Sequence, residues 1–118
     1  MMRIGELAAR TGVSPRSLRY YEQQGLLHTE RSANGWRIYP DAAVPRVRKI
    51  AEMLDNGLTI EGIQELADCL EMRDPSECDD PGHALETYQA RLAVVRDRLA
   101  ALQHHHDKLT GAIEELRR

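Results

Sequence analysis

The chain has 118 residues, with 16 Lys or Arg against 19 Asp or Glu, so its formal net charge is −3. This length supports one modest domain plus an appendage, and a domain so small gains from burying surface against a partner chain. No apolar run approaches the ~20 residues that span a bilayer, and no basic segment with a hydrophobic stretch opens the chain. We therefore expect a cytoplasmic protein with no membrane partner, and two cysteines are too few for a disulfide framework.

The charge is distributed unevenly along the chain. Residues 1–57 contain nine Arg or Lys against six Asp or Glu, whereas residues 58–118 contain seven against thirteen. Electrostatic attraction to phosphate decays over about 10 Å at ordinary salt, so an acidic C-terminal part does not cancel a basic N-terminal part. The negative net charge of the chain therefore does not exclude a nucleic-acid partner for residues 1–57.

Two short helices separated by a turn are predicted at the start of the chain. Ile4, Leu7 and Ala8 recur at helical spacing, and Gly12 can take the positive φ that a turn requires. Ser14 is a good N-cap and Pro15 suits the first helical position, so the second helix should begin at Ser14.

The second helix is predicted to turn Leu18 and Tyr21 inward and to expose groups that bind phosphates and base edges. The candidate DNA-binding residues of this segment are Ser14, Pro15, Arg16, Ser17, Arg19 and Tyr20. A solvated helix face coated with Arg and Tyr is the alternative. The turn and the cap, in register with these residues, favour DNA binding.

A β-hairpin is predicted next, because Asn34-Gly35 is a strong hairpin signal within alternating polar and bulky residues. By strand periodicity, Trp36 and Ile38 lie on one face, with Pro40. Arg37 and Tyr39 lie on the other face, which we expect to meet the partner while the first face packs.

A third and a fourth helix are expected to complete the core. Asp41 is the predicted N-cap of the third helix and Gly57 its end, while Thr59 caps the fourth. The apolar positions are Val44, Val47, Ile50, Ala51 and Leu54, then Ile60, Ile63, Leu66, Ala67 and Leu70. Arg46, Arg48 and Lys49 form a basic cluster, either a solvated face or a contact to the DNA backbone.

The C-terminal part carries ten residues spaced alternately three and four apart, which we term the heptad seam. They are Leu85, Tyr88, Leu92, Val95, Leu99, Leu102, His106, Leu109, Ile113 and Leu116. A helix from Gly82 onward would be about 55 Å long, and its apolar stripe predicts self-association. Packing of this helix back onto the first half is the weaker alternative, and spacing alone leaves strand orientation open.

The motifs together resemble one family. The runs Ile4-Gly5-Glu6-Leu7-Ala8, Thr11-Gly12-Val13-Ser14, Leu18-Arg19-Tyr20-Tyr21-Glu22, Gly25-Leu26-Leu27 and Gly35-Trp36-Arg37-Ile38-Tyr39 are similar to the winged helix-turn-helix head of MerR-family bacterial transcription regulators. The resemblance implies a mainly α protein: a winged helix-turn-helix domain (1–72), a linker loop (73–81) and a dimerisation helix (82–118) forming an antiparallel coiled-coil dimer.

The resemblance also implies function: a homodimer on a palindromic promoter operator in double-stranded DNA, bending and untwisting it for RNA polymerase. Arg16, Arg19 and Tyr20 would contact phosphates and bases, Arg37 and Tyr39 the adjacent backbone, and Arg46 and Lys49 are further candidates. No cofactor is expected. We do not expect an enzyme, because the sequence shows no paired carboxylates, no nucleophile with a base and no phosphate-binding glycine loop at usable spacing.

Metal ligands are weak candidates in this sequence. Three consecutive histidines ending at His106 point about 100° apart and cannot converge on one ion. Cys69 is expected to be a small buried thiol, whereas Cys78 lies where metal-sensing relatives place one thiolate. Those relatives add further cysteines after the long helix, and this sequence has none there. Cys78 is therefore only a candidate ligand. Two alternatives to the proposed regulator remain: a coiled-coil protein-interaction module, and a thiol-based, metal- or redox-responsive member of the same family.

Overall fold

The computed structural model describes residues 1–67 and 81–118, with side chains from His83 onward in the second range. In chain order the elements are α1 (Ile4–Thr11), α2 (Pro15–Gln23), β1 (Glu30–Arg31), β2 (Arg37–Ile38), α3 (Ala43–Asp55), α4 (Ile60–Glu65) and α5 (Pro81–Leu116). The protein is mainly helical, as predicted, with a helix-turn-helix at its start and a long helix at its end. It divides into two compact units, Met1–Ala84 and Leu85–Arg118.

The turn between α1 and α2 follows the predicted local chemistry. Gly12 has φ 75° and its N–H donates to the Ala8 carbonyl at 2.9 Å, ending α1. The Ser14 side chain caps α2 by accepting the Ser17 N–H at 3.2 Å, and Pro15 occupies the first turn. Because the cap sets where α2 starts, it also sets which residues face outward.

The core of the first unit lies between the four short helices. α1 packs against α2 and α3, and α3 packs against α4. Fully buried side chains come from every one of these helices and from the loop after α2: Leu7, Leu18, Leu26, Val47, Ile50 and Ile63. One shared apolar core therefore fixes the outward face of α2.

Leu18 provides a direct test of this packing. The side chain is 0% exposed, so Leu18→Ala should destabilise the unit by about 2–5 kcal/mol through lost burial and a residual cavity. The expected fall in thermal midpoint, measured by circular dichroism, is about 8 °C or more. Arg19→Ala, one residue further on the exposed side of α2, is the matched control and should leave the midpoint within a few degrees. Equal midpoints for the two variants would contradict the packing.

The third helix departs from prediction in two details. Ala42 is the N-cap residue of α3, and Asp41 bonds to the helix only through its carbonyl, which accepts the Val44 N–H at 3.1 Å. The Asp41 prediction was wrong because a preceding turn, with the Ala43 N–H on the Pro40 carbonyl, already starts the helical path. Met53 is buried at 4% exposure and was missed.

The other α3 and α4 signals are confirmed in part. Ala51 and Leu54 are only half-buried. Gly57 follows α3 with φ 97°, and Thr59 caps α4 by accepting the Gly62 N–H at 3.1 Å. α4 ends at Glu65, and Leu70 lies outside the described residues.

The hairpin has the predicted pairing but a different turn. Glu30 pairs with Ile38 and Arg31 with Arg37 in antiparallel register. The Ser32 N–H donates to the Trp36 carbonyl at 2.8 Å, which leaves a three-residue tip in which Gly35, at φ 80°, supplies the left-handed residue. Asn34 therefore keeps a negative φ, because the type I turn with a glycine bulge needs positive φ at one position only.

The second unit is the greater part of α5. The helix has 36 residues, about 54 Å at 1.5 Å per residue, and it begins at Pro81, one residue before the predicted start. Within this unit the leucine, valine and isoleucine residues of the heptad seam are exposed, with Leu99 at 65%, Leu102 at 64% and Leu109 at 64%, whereas Tyr88 is half-buried.

Candidate nucleic-acid interface

The outward face of α2 presents three polar side chains at helical spacing. Arg16, Arg19 and Tyr20 stand three and four residues apart and therefore share one side of the helix. All three are exposed, Tyr20 at 45%. None forms an ion pair or hydrogen bond with any residue in 1–67 or 81–118. Two cations thus remain available to an external anion.

Most other arginines of the first unit are held by partners within the chain. Arg10 pairs with Glu6 at 2.9 Å, the Arg48 guanidinium donates to the Arg10 carbonyl at 2.8 Å, and that of Arg31 donates to the Gly35 carbonyl at 2.8 Å. These contacts fasten α1 to α3 and brace the hairpin tip. The contrast singles out Arg16 and Arg19.

The N-terminus of α2 lies beside these cations. Ser14 and Pro15 are exposed, and Ser17, half-buried, supplies the capped N–H. The unpaired N–H groups of a helix start and its dipole favour a phosphate, so the α2 start and Arg16 can act on the same anion.

The hairpin is tied to α2 by one ion pair. The Arg37 Nη1 lies 3.1 Å from the Glu22 Oε2, and the Glu22 side chain is only 17% exposed. Arg37 itself is 44% exposed, so its guanidinium is held in position yet still reaches the surface. This pair links the orientation of β2 to that of α2.

Tyr39 does not occupy the predicted position. Its side chain is 0% exposed, so it cannot grip a DNA backbone in this structure, and that prediction was wrong. The alternation failed because β2 ends at Ile38, and Tyr39 forms an isolated bridge to Met2, with N–H···O distances of 2.7 and 2.9 Å. Trp36, which was expected on the packing face, is 51% exposed.

Burial of the Tyr39 ring raises the pKa of its hydroxyl above the ordinary 10.0, and the nearby Glu22 carboxylate raises it further. The pKa of Tyr21 is also raised by burial. An unfolded tyrosine loses its proton first as pH rises, so both residues should contribute stability that is lost above about pH 10.

Tyr39→Phe tests the burial and the correction together. The variant should lose less of its thermal midpoint than the parent between about pH 9 and 11, and it should bind DNA with unchanged affinity. Thermal melts across that pH range and a DNA titration at neutral pH are the measurements. A large loss of DNA affinity with an intact fold would restore Tyr39 as a contact residue.

The basic cluster on α3 serves the fold at two positions, because Arg48 fastens α3 to α1 and Arg46 fastens α3 to the loop after α2. The Arg46 Nε donates to the Leu26 carbonyl. Lys49, with 22% of its side chain exposed, lies 3.6 Å from Glu52. Contact of Arg46 and Lys49 with DNA stays a prediction.

One contact was missed by sequence reasoning. The Arg3 guanidinium stacks on the Trp36 ring, 4.1 Å from its centroid. Because the Met2–Tyr39 bridge brings the chain start beside β2, the two residues meet across 33 positions of sequence. An apolar Met2, two residues before the start of α1, was the only sequence signal for the Met2–Tyr39 bridge.

The described residues, 1–67 and 81–118, contain no group of three or more His, Cys, Asp or Glu able to hold a metal ion. Cys69 and the candidate ligand Cys78 lie outside them. In the same described part of the chain, no helix combines the length and apolarity needed to cross a membrane.

A capped helix with free outward arginines, preceded by a packed helix and followed by a braced hairpin, defines a winged helix-turn-helix DNA-binding protein. The family of MerR HTH regulatory proteins matches residues 2–69. The chain belongs to this family of DNA-binding transcription regulators.

Two curated relatives carry named functions. The mercuric resistance operon regulatory protein of Bacillus cereus is 39% identical over 79 residues, covering 66% of this chain and 59% of that protein. The HTH-type transcriptional regulator ZntR of Escherichia coli (strain K12) is 36% identical over 104 residues, covering 87% of this chain and 72% of the relative. The chain thus spans less than two thirds of the first relative.

Two solved structures have the same fold. The transcription regulator PbrR691 from Ralstonia metallidurans CH34, in complex with lead(II), superposes with a TM-score of 0.75 at 29% identity, covering 93% of this chain and 83% of that one. HiNmlR, a MerR family regulator lacking the sensor domain and bound to promoter DNA, gives a TM-score of 0.59 at 23% identity, covering 89% and 77%.

Proposed function

We propose that this regulator acts as a homodimer on a two-fold symmetric promoter operator, placing α2 of each protomer in the major groove of one half-site. The observation that carries the proposal is the exposed pair Arg16 and Arg19, without partners among the described residues, on the face that also presents Tyr20. Arginine is suited both to phosphates and to guanine edges in that groove.

The α2 start and the hairpin would hold the backbone on either side. The capped turn at Ser14, Pro15 and Ser17 offers N–H groups and a helix dipole to one phosphate. Arg37, oriented by Glu22, would contact a second phosphate beside the hairpin. Arg46 and Lys49 are further backbone candidates; the Arg46 Nε already donates to the Leu26 carbonyl, and the Lys49 Nζ lies 3.6 Å from the Glu52 Oε2.

Dimerisation follows from the exposed heptad seam. Its apolar residues Leu85, Leu92, Val95, Leu99, Leu102, Leu109, Ile113 and Leu116 are each at least 40% exposed. Burial of each such side chain is worth roughly 1.5 kcal/mol or more, so a second copy is the natural cover. Two heads joined in this way read two half-sites.

The family implies how binding affects transcription: the dimer bends and untwists an overlong promoter so that RNA polymerase can use it. Such a deformation costs on the order of a few kcal/mol and is offset by contacts at the two half-sites. We propose no catalytic activity, and we place the protein in the cytoplasm, where its DNA is.

The first experiment is selection of genomic fragments by the purified full chain, followed by hydroxyl-radical footprinting of the retained sites. The expected result is a palindromic footprint between promoter elements, with protected backbone on each half-site. Retention without sequence preference would contradict the proposal and would favour a coiled-coil protein-interaction module.

Metal-responsive regulation is a second candidate, favoured by the relatives, because one is a mercuric resistance regulator and another was solved in complex with lead(II). The test is transcription from the selected promoter with and without zinc, lead or mercury salts. A response abolished in a Cys69→Ser/Cys78→Ser variant would support a thiol-based sensor, and unchanged transcription would remove it.

A further inference from the structure

The heptad seam has the same spacing when it is read from either end. Its ten residues follow intervals of three and four that begin and end with three, from Leu85 to Leu116. A reversed second copy can therefore cover every seam position at once. This full overlap is possible in one antiparallel register, and a shift by a heptad in either direction leaves two seam residues of each chain uncovered.

The family resemblance implies an antiparallel dimer, and we propose that its two long helices pair in this full-overlap register, an inference that deepens the dimer of the proposed function and rests on it. Leu85 then lies opposite Leu116 of the partner subunit, and Leu99 lies opposite Leu102 of the partner subunit. His106 packs against Val95 of the partner subunit, so the polar seam residue never meets its own copy.

The residues beside the heptad seam provide an argument for the register that is independent of the seam spacing. One flank carries Gln89, Arg96, Gln103, Thr110 and Arg117, and the other carries Ala84, Arg91, Arg98, His105 and Ala112. No flank position is acidic, so arginines facing each other across the interface can only repel. Flank charge therefore disfavours every arrangement in which arginines face one another.

The full-overlap register meets that condition. In an antiparallel pair, each flank of one helix faces the same flank of its partner. Arg96 then neighbours Gln103 of the partner subunit, Arg98 neighbours His105 of the partner subunit, and Arg91 neighbours Ala112 of the partner subunit. No two arginines of these flanks are opposed.

Each competing arrangement either opposes arginines or leaves seam residues uncovered. A one-heptad shift that uncovers Ile113 and Leu116 places Arg96 against its own copy and Arg98 against its own copy. The opposite shift opposes no two arginines of these flanks, but it uncovers Leu85 and Tyr88. A parallel pair in register places Arg91 against Arg96 on both sides and stacks the two His106 rings in one layer.

Disulfide trapping in the full chain distinguishes these arrangements, on a Cys69→Ser/Cys78→Ser background. Among the antiparallel registers, Val95→Cys/His106→Cys pairs cysteines only in the full-overlap register. Among the same registers, Val95→Cys/Leu99→Cys does so only in one shifted register, and Leu102→Cys/His106→Cys only in the other. Val95→Cys alone is the control for a parallel pair, and sedimentation of the reduced variants checks that each still dimerises.

Under mild oxidation, the Val95→Cys/His106→Cys variant should form covalent dimer at least about tenfold faster than the others, because a disulfide needs Cβ atoms within ~4 Å. Faster linkage of either other pair, or of Val95→Cys alone, would overturn the register while leaving the dimer intact. A dimer that no pair links would place its interface elsewhere. A monomer, with the background protein also monomeric, would instead contradict the proposed function.

Discussion

Replacing Arg19 with Ala is expected to weaken operator binding by about 1–3 kcal/mol, roughly 5- to 150-fold. The side chain is exposed and has no partner in the described part of the chain, so its removal breaks no internal contact. The proposed dimer would present the residue twice, once to each half-site. Arg16→Ala should behave similarly, and the double variant should lose most of the sequence-selective affinity.

Salt dependence separates the two kinds of contact that these arginines can make. Loss of a phosphate contact lowers the slope of log affinity against log salt by about one and weakens all sequences alike. Loss of a base contact instead relaxes specificity at one position of each half-site. Fluorescence titrations at several salt concentrations, on operator and scrambled duplexes, distinguish these outcomes.

Lys108→Ala is the matched control for a lost positive charge. Lys108 is exposed on α5, within the second unit and away from the seam positions. Its removal should change affinity by less than the arginine variants do. Full operator affinity in the Arg16→Ala/Arg19→Ala protein would contradict the placement of α2 in the groove.

Leu102→Asp is expected to convert the dimer into a monomer. Leu102 is 64% exposed in the single chain, so the substitution costs the isolated helix little. In a dimer it occurs in two layers, and each replaces a buried leucine worth roughly 1.5–3 kcal/mol with a charge that must lose its water. We expect the dimer dissociation constant to rise at least about 100-fold.

Ala100→Asp introduces the same charge half a turn away, off the heptad seam. It should leave sedimentation and operator binding unchanged. Sedimentation equilibrium measures the dimer, and circular dichroism confirms that both variants keep their helices. If Leu102→Asp remained a dimer at micromolar concentration, another surface would hold the copies together.

Local chemistry made much of the fold predictable. The α2 start followed from Ser14 and Pro15 because a cap and a proline act within one turn. The inward direction of Leu18 and Tyr21 then followed from helical periodicity. The heptad seam was equally readable, since its signal repeats along 32 residues of one helix.

Contacts between distant residues were not predictable in the same way. The fate of Tyr39 depended on a bridge to Met2, and strand alternation carries no information about such a pairing. The ion pair of Arg37 with Glu22 depends on how the hairpin packs against α2. Sequence spacing identified Arg37 as a candidate contact and could not reveal the residue that positions it.

The most direct test of two linked heads is the stoichiometry of the operator complex. A duplex with both half-sites and one with a single half-site scrambled would be titrated with the full chain, and the bound mass measured by sedimentation. We predict two chains per intact operator and an affinity at least about 100-fold lower for the scrambled duplex. One chain per operator, or equal affinity for both duplexes, would contradict the account.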